Sequence, residues 1–161
     1  MSLVTEEIRA SASEIHHGDA ICQEKIKLAL TEMGLPNGLL PVKDVEECGF
    51  VQETGFVWII QKNPSKFHNE KIGKVTSYAT EVTAFMERFK VKKIKGVKTK
   101  ELLMWIPLNE VTVDDPLTGK ITFKVTSGLS KSFHVSAFQV DGVKKDVEGV
   151  SLAKDPQVKE V

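Results

Sequence analysis

The segment GLPNGLLP, residues 34–41, constrains the fold most because it separates a helical pattern from a strand pattern. Before it, apolar residues recur at helical spacing and define one face of a helix that begins at Asp19, a candidate N-cap. That face comprises Cys22, Ile26, Ala29, Leu30 and Met33. Gly34 occupies the usual place of a left-handed glycine after a helix, and Pro36 prevents the helix from continuing. Leu35 is placed to pack back on the last turn, so we expect a loop that is fixed between the helix and a following sheet.

From about residue 45 onward the pattern is that of β-strands. Residues 50–51 and 56–60 flank the turn-forming segment QETG and predict a hairpin. Further along, the alternation of apolar and polar residues is broken between Val91 and Ile94, at the Lys-Lys pair. These two apolar residues can share one face only if the strand contains an extra residue. The sequence therefore predicts a β-bulge at this position.

Two apolar runs, residues 56–60 and 102–106, are continuous rather than alternating. A strand with one solvated face alternates, so we expect both runs to be covered on both faces. A single helix covers only part of one face, so the sheet must curve on itself or enclose something else. The predicted fold is α+β: a strongly curved antiparallel sheet or incomplete β-barrel with one packed N-terminal helix.

The length of 161 residues is sufficient for one domain with its own core. We predict a partly ordered N-terminal segment at residues 1–18 and a single β-rich domain, which includes the helix, at residues 19–140. Apolar periodicity is lost after residue 140, so residues 141–161 are expected to form a flexible charged tail.

Several spaced motifs resemble one known family. They are GLPNGLLP, ETGFVWI, GVKTKELLMW followed by IPLNEV, ITFKV and SFHVSAF. Together, over roughly residues 20–140, they resemble the plant family called "domain of unknown function 538". The resemblance implies no established activity. It implies a distant likeness to lipid-binding proteins with a strongly curved sheet around a helix, and it assigns a catalytic role to no residue of this chain.

Composition and terminal sequence exclude several classes of function. Lys and Arg together number 22, as do Asp and Glu, and this balance argues against a nucleic-acid-binding protein. No apolar run approaches the roughly 20 residues of a membrane-spanning helix. The polar start MSLVTEEIRA lacks the pattern of a secretory signal, so we expect a cytoplasmic protein. The family resemblance implies secretory signals in many relatives, and this chain departs from them in that respect. Cys22 and Cys48 lack metal or redox spacing, so we expect two buried free thiols, no metal and no cofactor.

No recognised catalytic motif is complete in the sequence. Ser130 lacks the second glycine of a nucleophile elbow, and the S-x-x-K match at Ser151 lies in the predicted tail. His134 lies between Ser132 and Ser136, but residues two apart in a strand do not come within hydrogen-bonding distance of each other. The sequence thus favours a non-catalytic protein, and a hydrolase whose site is assembled from distant residues stays open as an alternative.

Two groups of residues are candidates for binding. The ligand-pocket candidates are Trp58, Tyr78, Phe85, Met86 and Trp105, with both tryptophans expected to be buried. A sheet interior filled by its own side chains is as compatible with the pattern as a hollow one. The candidates for an anionic partner, within the basic strand 88–100, are Arg88, Lys90, Lys92, Lys93 and Lys95. That partner would be membrane headgroups or another protein, but lysines that guard an exposed strand edge are the favoured explanation.

The leading hypothesis is therefore a monomer that binds an apolar or amphipathic, lipid-like small molecule. A protein-interaction module that uses the basic strand is the alternative. Peripheral contact with a membrane is compatible with either.

Overall fold

The computed structural model describes residues 2–115 and 118–140. Two α-helices lie in the N-terminal part, α1 (Glu6–Ser11) and α2 (Asp19–Glu32), and a 3-10 helix (Val135–Phe138) follows the last strand. The nine strands are β1 (Glu14–His17), β2 (Val45–Val51), β3 (Phe56–Gln61), β4 (Ser65–Asn69), β5 (Lys74–Glu87), β6 (Lys90–Glu101), β7 (Met104–Asp115), β8 (Lys120–Val125) and β9 (Ser130–His134). The tail predicted for residues 141–161 lies outside the described residues.

All strands belong to one antiparallel sheet with the order β1-β2-β3-β5-β6-β7-β8-β9, and the short β4 also pairs with β5. Within the described residues, β1 and β9 each pair on one side only, so the sheet does not close into a barrel. The register shifts between several strand pairs, and such irregularities bend and twist a sheet. Helix α2 packs on β2 and β1. The predicted α+β fold with an incompletely closed antiparallel sheet and one packed helix is confirmed.

Helix α2 buries the predicted apolar face, with Cys22, Ile26 and Leu30 in the core. Its N-cap is Gly18, however, and Asp19 is the first helical residue. Asp19 Oδ1 accepts a hydrogen bond of 2.9 Å from the backbone N–H of Val45. The N-cap prediction was wrong because this carboxylate accepts from the backbone at the start of β2 and from the side-chain amide of Gln23, and not from a backbone N–H of the first helical turn.

The end of α2 agrees with the prediction. Gly34 has φ +77°, and its N–H donates to the carbonyl oxygen of Thr31 at 3.1 Å. The N–H of Leu35 donates to the carbonyl oxygen of Leu30 at 2.9 Å, which completes a Schellman motif. Leu35 is buried in the main core. The aromatic ring of Phe89, in the β5–β6 turn, lies against Gly34, so the loop is fixed between helix and sheet.

The remainder of GLPNGLLP is joined to the segment that follows β9. The side-chain amide of Asn37 donates to the carbonyl oxygen of Val140 at 3.1 Å, and its Oδ1 accepts from the Val140 N–H at 2.8 Å. The Gly38 N–H donates to the carbonyl oxygen of Phe138 at 2.8 Å. A Cβ atom on Gly38 would lie 2.5 Å from that oxygen, so a side chain cannot be added without displacing the backbone. Nothing in the sequence pattern predicts this constraint, because the partner comes from the far end of the domain.

The sheet carries apolar clusters on both faces. The inner face, against which α2 packs, carries the main core. On the outer face, Val4, Val51, Phe56 and Trp58 form a second cluster beneath α1. Trp58 Nε1 donates to Glu47 Oε2 at 2.7 Å. Residues 1–18, for which the sequence predicts partial order, thus include α1 and the edge strand β1, both in contact with β2.

The two unbroken apolar runs have different structures. Residues 56–60 are covered on both faces, as predicted, because alternate side chains enter the main core and the second cluster. Residues 102–106 are not a covered strand. Leu102 and Leu103 form the two-residue turn between β6 and β7 and are 94% and 91% exposed. The prediction for this run was wrong because its first residues form a turn that lacks the usual turn-forming residue types.

Strand β6 contains the predicted bulge. Phe85 pairs with Lys92 and Thr83 pairs with Lys95, so β6 has one residue more than β5 between these pairs. The extra residue places Val91 and Ile94 together in the main core. Strand β6 is paired with β5 on one side and β7 on the other. Its pairs with β7 lie at residues 90–91 and 98–101, so β6 is an internal strand and its lysines do not guard the outer edge of the sheet. Residues 92–97, where the register with β7 is irregular, include Lys92, Lys93 and Lys95, and protection of this stretch by its lysines stays a prediction.

Candidate functional site

A cavity of about 330 Å³ lies between the inner face of the curved sheet and the GLPNGLLP loop. Alternation along β3, β5, β6 and β7 directs apolar side chains to this face, because successive residues of a strand point to opposite sides. The lining includes Leu39, Ile59, Val82, Ala84, Val97 and Leu108. Phe123 and Phe133, from β8 and β9, complete the apolar wall and pack edge to face with their centroids 5.8 Å apart. The sheet interior is thus hollow in part.

Three charged residues lie together in the cavity lining, and we call them the charged rim: Lys74, Glu101 and Lys131. Lys74 Nζ lies 3.0 and 2.9 Å from the two carboxylate oxygens of Glu101, and Lys131 Nζ lies 2.8 Å from Oε1. The hydrogen bond from Lys131, followed by that from Lys74, holds the pKa of the Glu101 carboxyl below its ordinary value. All three residues line the cavity, and two lysines against one glutamate give the rim a net positive charge.

One polar group lies deeper in the cavity. Tyr78 is buried and belongs to the lining, as does its neighbour Thr76 on the same face of β5. Burial raises the pKa of the Tyr78 hydroxyl, although a side-chain hydrogen bond with Thr76 lowers it. The phenol is therefore neutral at physiological pH and could donate or accept a hydrogen bond within an otherwise apolar space.

The five predicted pocket residues lie on different faces. Tyr78 and Met86 line the cavity from the inner face of β5. Trp58 borders the cavity, but its ring packs in the second cluster on the outer face, where Phe85 also packs, with its ring centroid 5.2 Å from that of Phe56. Trp105 is half-buried rather than buried. Its ring lies beneath the Nζ atoms of two lysines, Lys66 and Lys100, so neither tryptophan ring forms the cavity wall.

Sequence reasoning missed the charged rim and the aromatic wall. Phe123 and Phe133 occupy alternating positions, which place them on the buried face of their strands once the pairing of β8 with β9 is known. The rim residues come from β5, β6 and β9, and only the tertiary fold brings them together. No local signal in the sequence connects them.

The residues proposed for an anionic partner lie away from the cavity lining. Lys92 forms an ion pair with Glu87, and the hydrogen bond from Lys92 lowers the pKa of that carboxyl. Lys93 Nζ lies 5.5 Å from the centroid of the Phe85 ring, and the Arg88 guanidinium lies 5.0 Å from that of Phe89. These cations therefore make local contacts around the β5–β6 hairpin. A further residue of the group, Lys90, pairs with Glu87 across the same hairpin, and Lys95 is exposed.

A serine–histidine contact exists where the sequence predicted none. His134 Nδ1 lies 2.9 Å from Ser136 Oγ and also accepts from the Ser136 N–H at 3.1 Å. The expectation was wrong because the chain leaves the strand conformation after His134 and enters the 3-10 helix. His134 is the N-cap of that helix, so the contact has a structural role as a cap.

Other chemistry is limited in the described part of the chain. Cys22 and Cys48 are buried and not disulfide-bonded, and burial, followed by a hydrogen bond with Cys22, raises the pKa of the Cys48 thiol to about 12. Within residues 2–115 and 118–140, no three His, Cys, Asp or Glu side chains are grouped so that they could hold a metal ion. No helix among these residues is long and apolar enough to cross a membrane.

Comparison with known proteins identifies a family. The chain is 27% identical over 118 residues to a protein of Arabidopsis thaliana named "Uncharacterized protein At5g01610". The match covers 73% of this chain and 65% of the relative, so the chain spans less than two thirds of the relative's length. No solved structure matches the chain. The family model "Protein of unknown function, DUF538" matches residues 26–139, which include the second half of α2, all of β2–β9 and the 3-10 helix. The chain therefore belongs to the DUF538 family.

Proposed function

We propose that this protein binds an amphipathic small molecule without transforming it. The apolar tail of the ligand occupies the cavity, and an anionic head, such as a carboxylate, contacts the charged rim. One observation carries the proposal: the lining of a largely apolar cavity of about 330 Å³ includes two lysines that share one glutamate. Ligand pockets in proteins typically measure about 300–1,000 Å³ and combine apolar walls with few polar groups.

The size of the cavity favours a tail of medium length. Its volume is about twice that of an engineered cavity of roughly 150 Å³ that accommodates benzene. Each methylene group transferred from water contributes about 0.8 kcal/mol, so eight of them contribute roughly 6 kcal/mol. Association itself costs about 4 kcal/mol or more. Head-group contacts are therefore required for micromolar affinity.

The charged rim can supply those contacts. An ammonium group has three N–H donors, so Lys74 and Lys131 can each contact Glu101 and an incoming carboxylate at the same time. Charge-assisted hydrogen bonds of this kind contribute about 1.5–3 kcal/mol. The hydroxyl head of a fatty alcohol carries no charge. A fatty acid should therefore bind more tightly than the fatty alcohol of equal length.

The test compares two matched substitutions on β5. Ala84 lines the cavity and is buried, whereas Ala79 is exposed on the same strand. Decanoate should raise the melting temperature of the parent protein saturably, and decanol should raise it less. Ala84→Phe should remove the response because the ring occupies the cavity, whereas Ala79→Phe should retain it.

The intrinsic fluorescence of the tryptophans should change little on binding, because neither ring forms the cavity wall. An equal response in the parent and in Ala84→Phe would refute the proposal. A parent protein that no amphiphile stabilises would favour the alternative, a protein-interaction module that uses the outer-face cations of residues 88–100.

A further inference from the structure

The hairpin between β6 and β7 ends in an exposed apolar tip. Leu102, Leu103 and Met104 are 94%, 91% and 65% exposed. Glu101 pairs with Met104, so the two leucines form a two-residue turn. Leu102 has φ +57°, a left-handed conformation that glycine adopts far more easily than leucine. Both the exposure of apolar surface and the backbone conformation are unfavourable in the isolated protein, and such strain is concentrated at functional sites.

Cationic and aromatic side chains lie next to this tip on the outer face. The Trp105 ring centroid lies 5.4 Å from Lys66 Nζ and 5.8 Å from Lys100 Nζ. Lys98 is exposed two residues before Lys100 and therefore points to the same face of β6. Tryptophan is enriched at the boundary between bilayer and water, where lysine side chains extend towards the headgroups. In this hairpin the apolar tip comes first, and Trp105 and the lysines lie behind it, which is the arrangement expected of a segment that enters a bilayer from the water side.

The acidic residue next to the hairpin tip, Glu101, does not oppose an anionic surface. Glu101 is held between Lys74 and Lys131, so its charge is compensated within the charged rim. The contact with Lys131 also brings the β8–β9 turn to the same end of the molecule. Leu129, in that turn, is 72% exposed. A further exposed apolar side chain, which also belongs to the cavity lining, thus lies at the same end of the molecule as the hairpin tip.

We propose that this end of the molecule docks on a lipid bilayer that contains anionic lipids. Leu102, Leu103 and Met104 enter the upper acyl region, and Lys66 and Lys100 lie among the headgroups. A protein partner fits the observations less well, because a stable protein interface takes about 20–30 residues from each partner and the tip offers three. Insertion into a bilayer requires no complementary surface, and the affinity scales with the apolar groups buried and the nearby cations.

The inference stands on the tip and its flanking residues and does not depend on ligand binding in the cavity. If both are correct, the ligand would enter or leave at the membrane surface, because the charged rim adjoins the hairpin.

The decisive variant is Leu102→Gly combined with Leu103→Asn. Glycine suits the left-handed position and asparagine suits a turn, so the variant should fold at least as stably as the parent. In cosedimentation with vesicles of phosphatidylcholine and phosphatidylserine at low salt, the parent should bind and the variant should partition less by roughly tenfold or more. Leu28→Asn is the matched control, because Leu28 is 49% exposed on α2 and should leave vesicle binding unchanged.

The lysine contribution is tested separately. Replacing Lys98 and Lys100 with Glu should weaken binding to the anionic vesicles, whereas the same change at Lys93 and Lys95, which lie further from the tip on the same strand, should have a smaller effect. Docking should also shift the emission of Trp105 to shorter wavelength, since Trp58 is already buried.

Three results would overturn the inference. The first is no binding of the parent protein to the anionic vesicles at low salt. The second is equal binding of the parent and the turn variant. The third is self-association of the parent that the turn variant abolishes while vesicle binding is absent, which would assign the tip to a protein contact. The decanoate response should persist in the turn variant, so failure of docking and failure of ligand binding can be distinguished.

Discussion

The substitution Gly34→Ala tests how the loop GLPNGLLP is fixed to the sheet. Gly34 has φ +77°, and a Cβ atom placed there would lie 2.3 Å from Cε1 of the Phe89 ring. The substitution therefore has two unfavourable effects: it forces alanine into the left-handed conformation, and it displaces an aromatic ring. Gly73 provides the matched control, because it has φ +66° and no described atom lies within 4 Å of its Cβ position.

The expected magnitudes follow from these contacts. A left-handed conformation costs roughly 1–2 kcal/mol for a residue with a Cβ atom, so Gly73→Ala should lower the free energy of unfolding by about that amount. Overpacking adds about 1–3 kcal/mol, which brings the expected loss for Gly34→Ala to roughly 2–5 kcal/mol. For a chain of this size, each kcal/mol lowers the melting temperature by about 2–4 °C.

Urea denaturation followed by circular dichroism measures both variants. The difference between them isolates the packing of Phe89 against the loop, since the backbone effect is common to both. A free energy of unfolding for Gly34→Ala within about 0.5 kcal/mol of that for Gly73→Ala would refute the packing contribution. A Gly34→Ala variant as stable as the parent would refute the left-handed cap as well.

Two further predictions concern titratable groups. Burial raises the pKa of the Glu47 carboxyl, but hydrogen bonds from Trp58 and Arg9 lower it more, so this pKa lies below the ordinary 4.5. The ionised carboxylate therefore stabilises the folded state above pH 4.5, and this stabilisation is lost as the pH falls below that value. In a Trp105→Phe background, the Trp58 emission should shift to shorter wavelength on acidification, because the buried indole loses the negative charge beside its N–H. Glu47→Gln should show that shift at neutral pH, and unchanged emission in both would contradict the coupling. The Cys48 pKa is raised from 9.0 to about 12, so the native protein should lose stability as the pH rises above about 9. Because both cysteines are buried, they should react with a thiol reagent only after unfolding. Rapid reaction in the native state would contradict their burial.

Features fixed by neighbouring residues could be predicted from the sequence. The end of α2 follows from a glycine, a proline and an apolar residue within three positions, and the bulge follows from the spacing of Val91 and Ile94. The antiparallel, open character of the sheet follows from alternation together with the shortage of helices to cover it. In each case the decisive contacts lie within a few residues of the chain or repeat along it.

The wrong predictions concern residues whose burial and orientation depend on contacts with distant parts of the chain. A continuous apolar run does not reveal which residues face inward, so Phe85 and the Trp58 ring were assigned to the wrong face. The run at residues 102–106 was misread because Leu102 occupies a turn position that usually takes glycine. The charged rim could not be predicted, because the register of β5, β6 and β9 is set by strand pairing and not by local sequence.

Isothermal titration calorimetry of decanoate into the parent protein measures amphiphile binding in the cavity. We expect saturable binding at one site with a negative heat-capacity change, because apolar surface is buried. The heat should disappear in Ala84→Phe and persist in Ala79→Phe. Absence of saturable heat in the parent, or equal heat in the parent and Ala84→Phe, would refute ligand binding in the cavity.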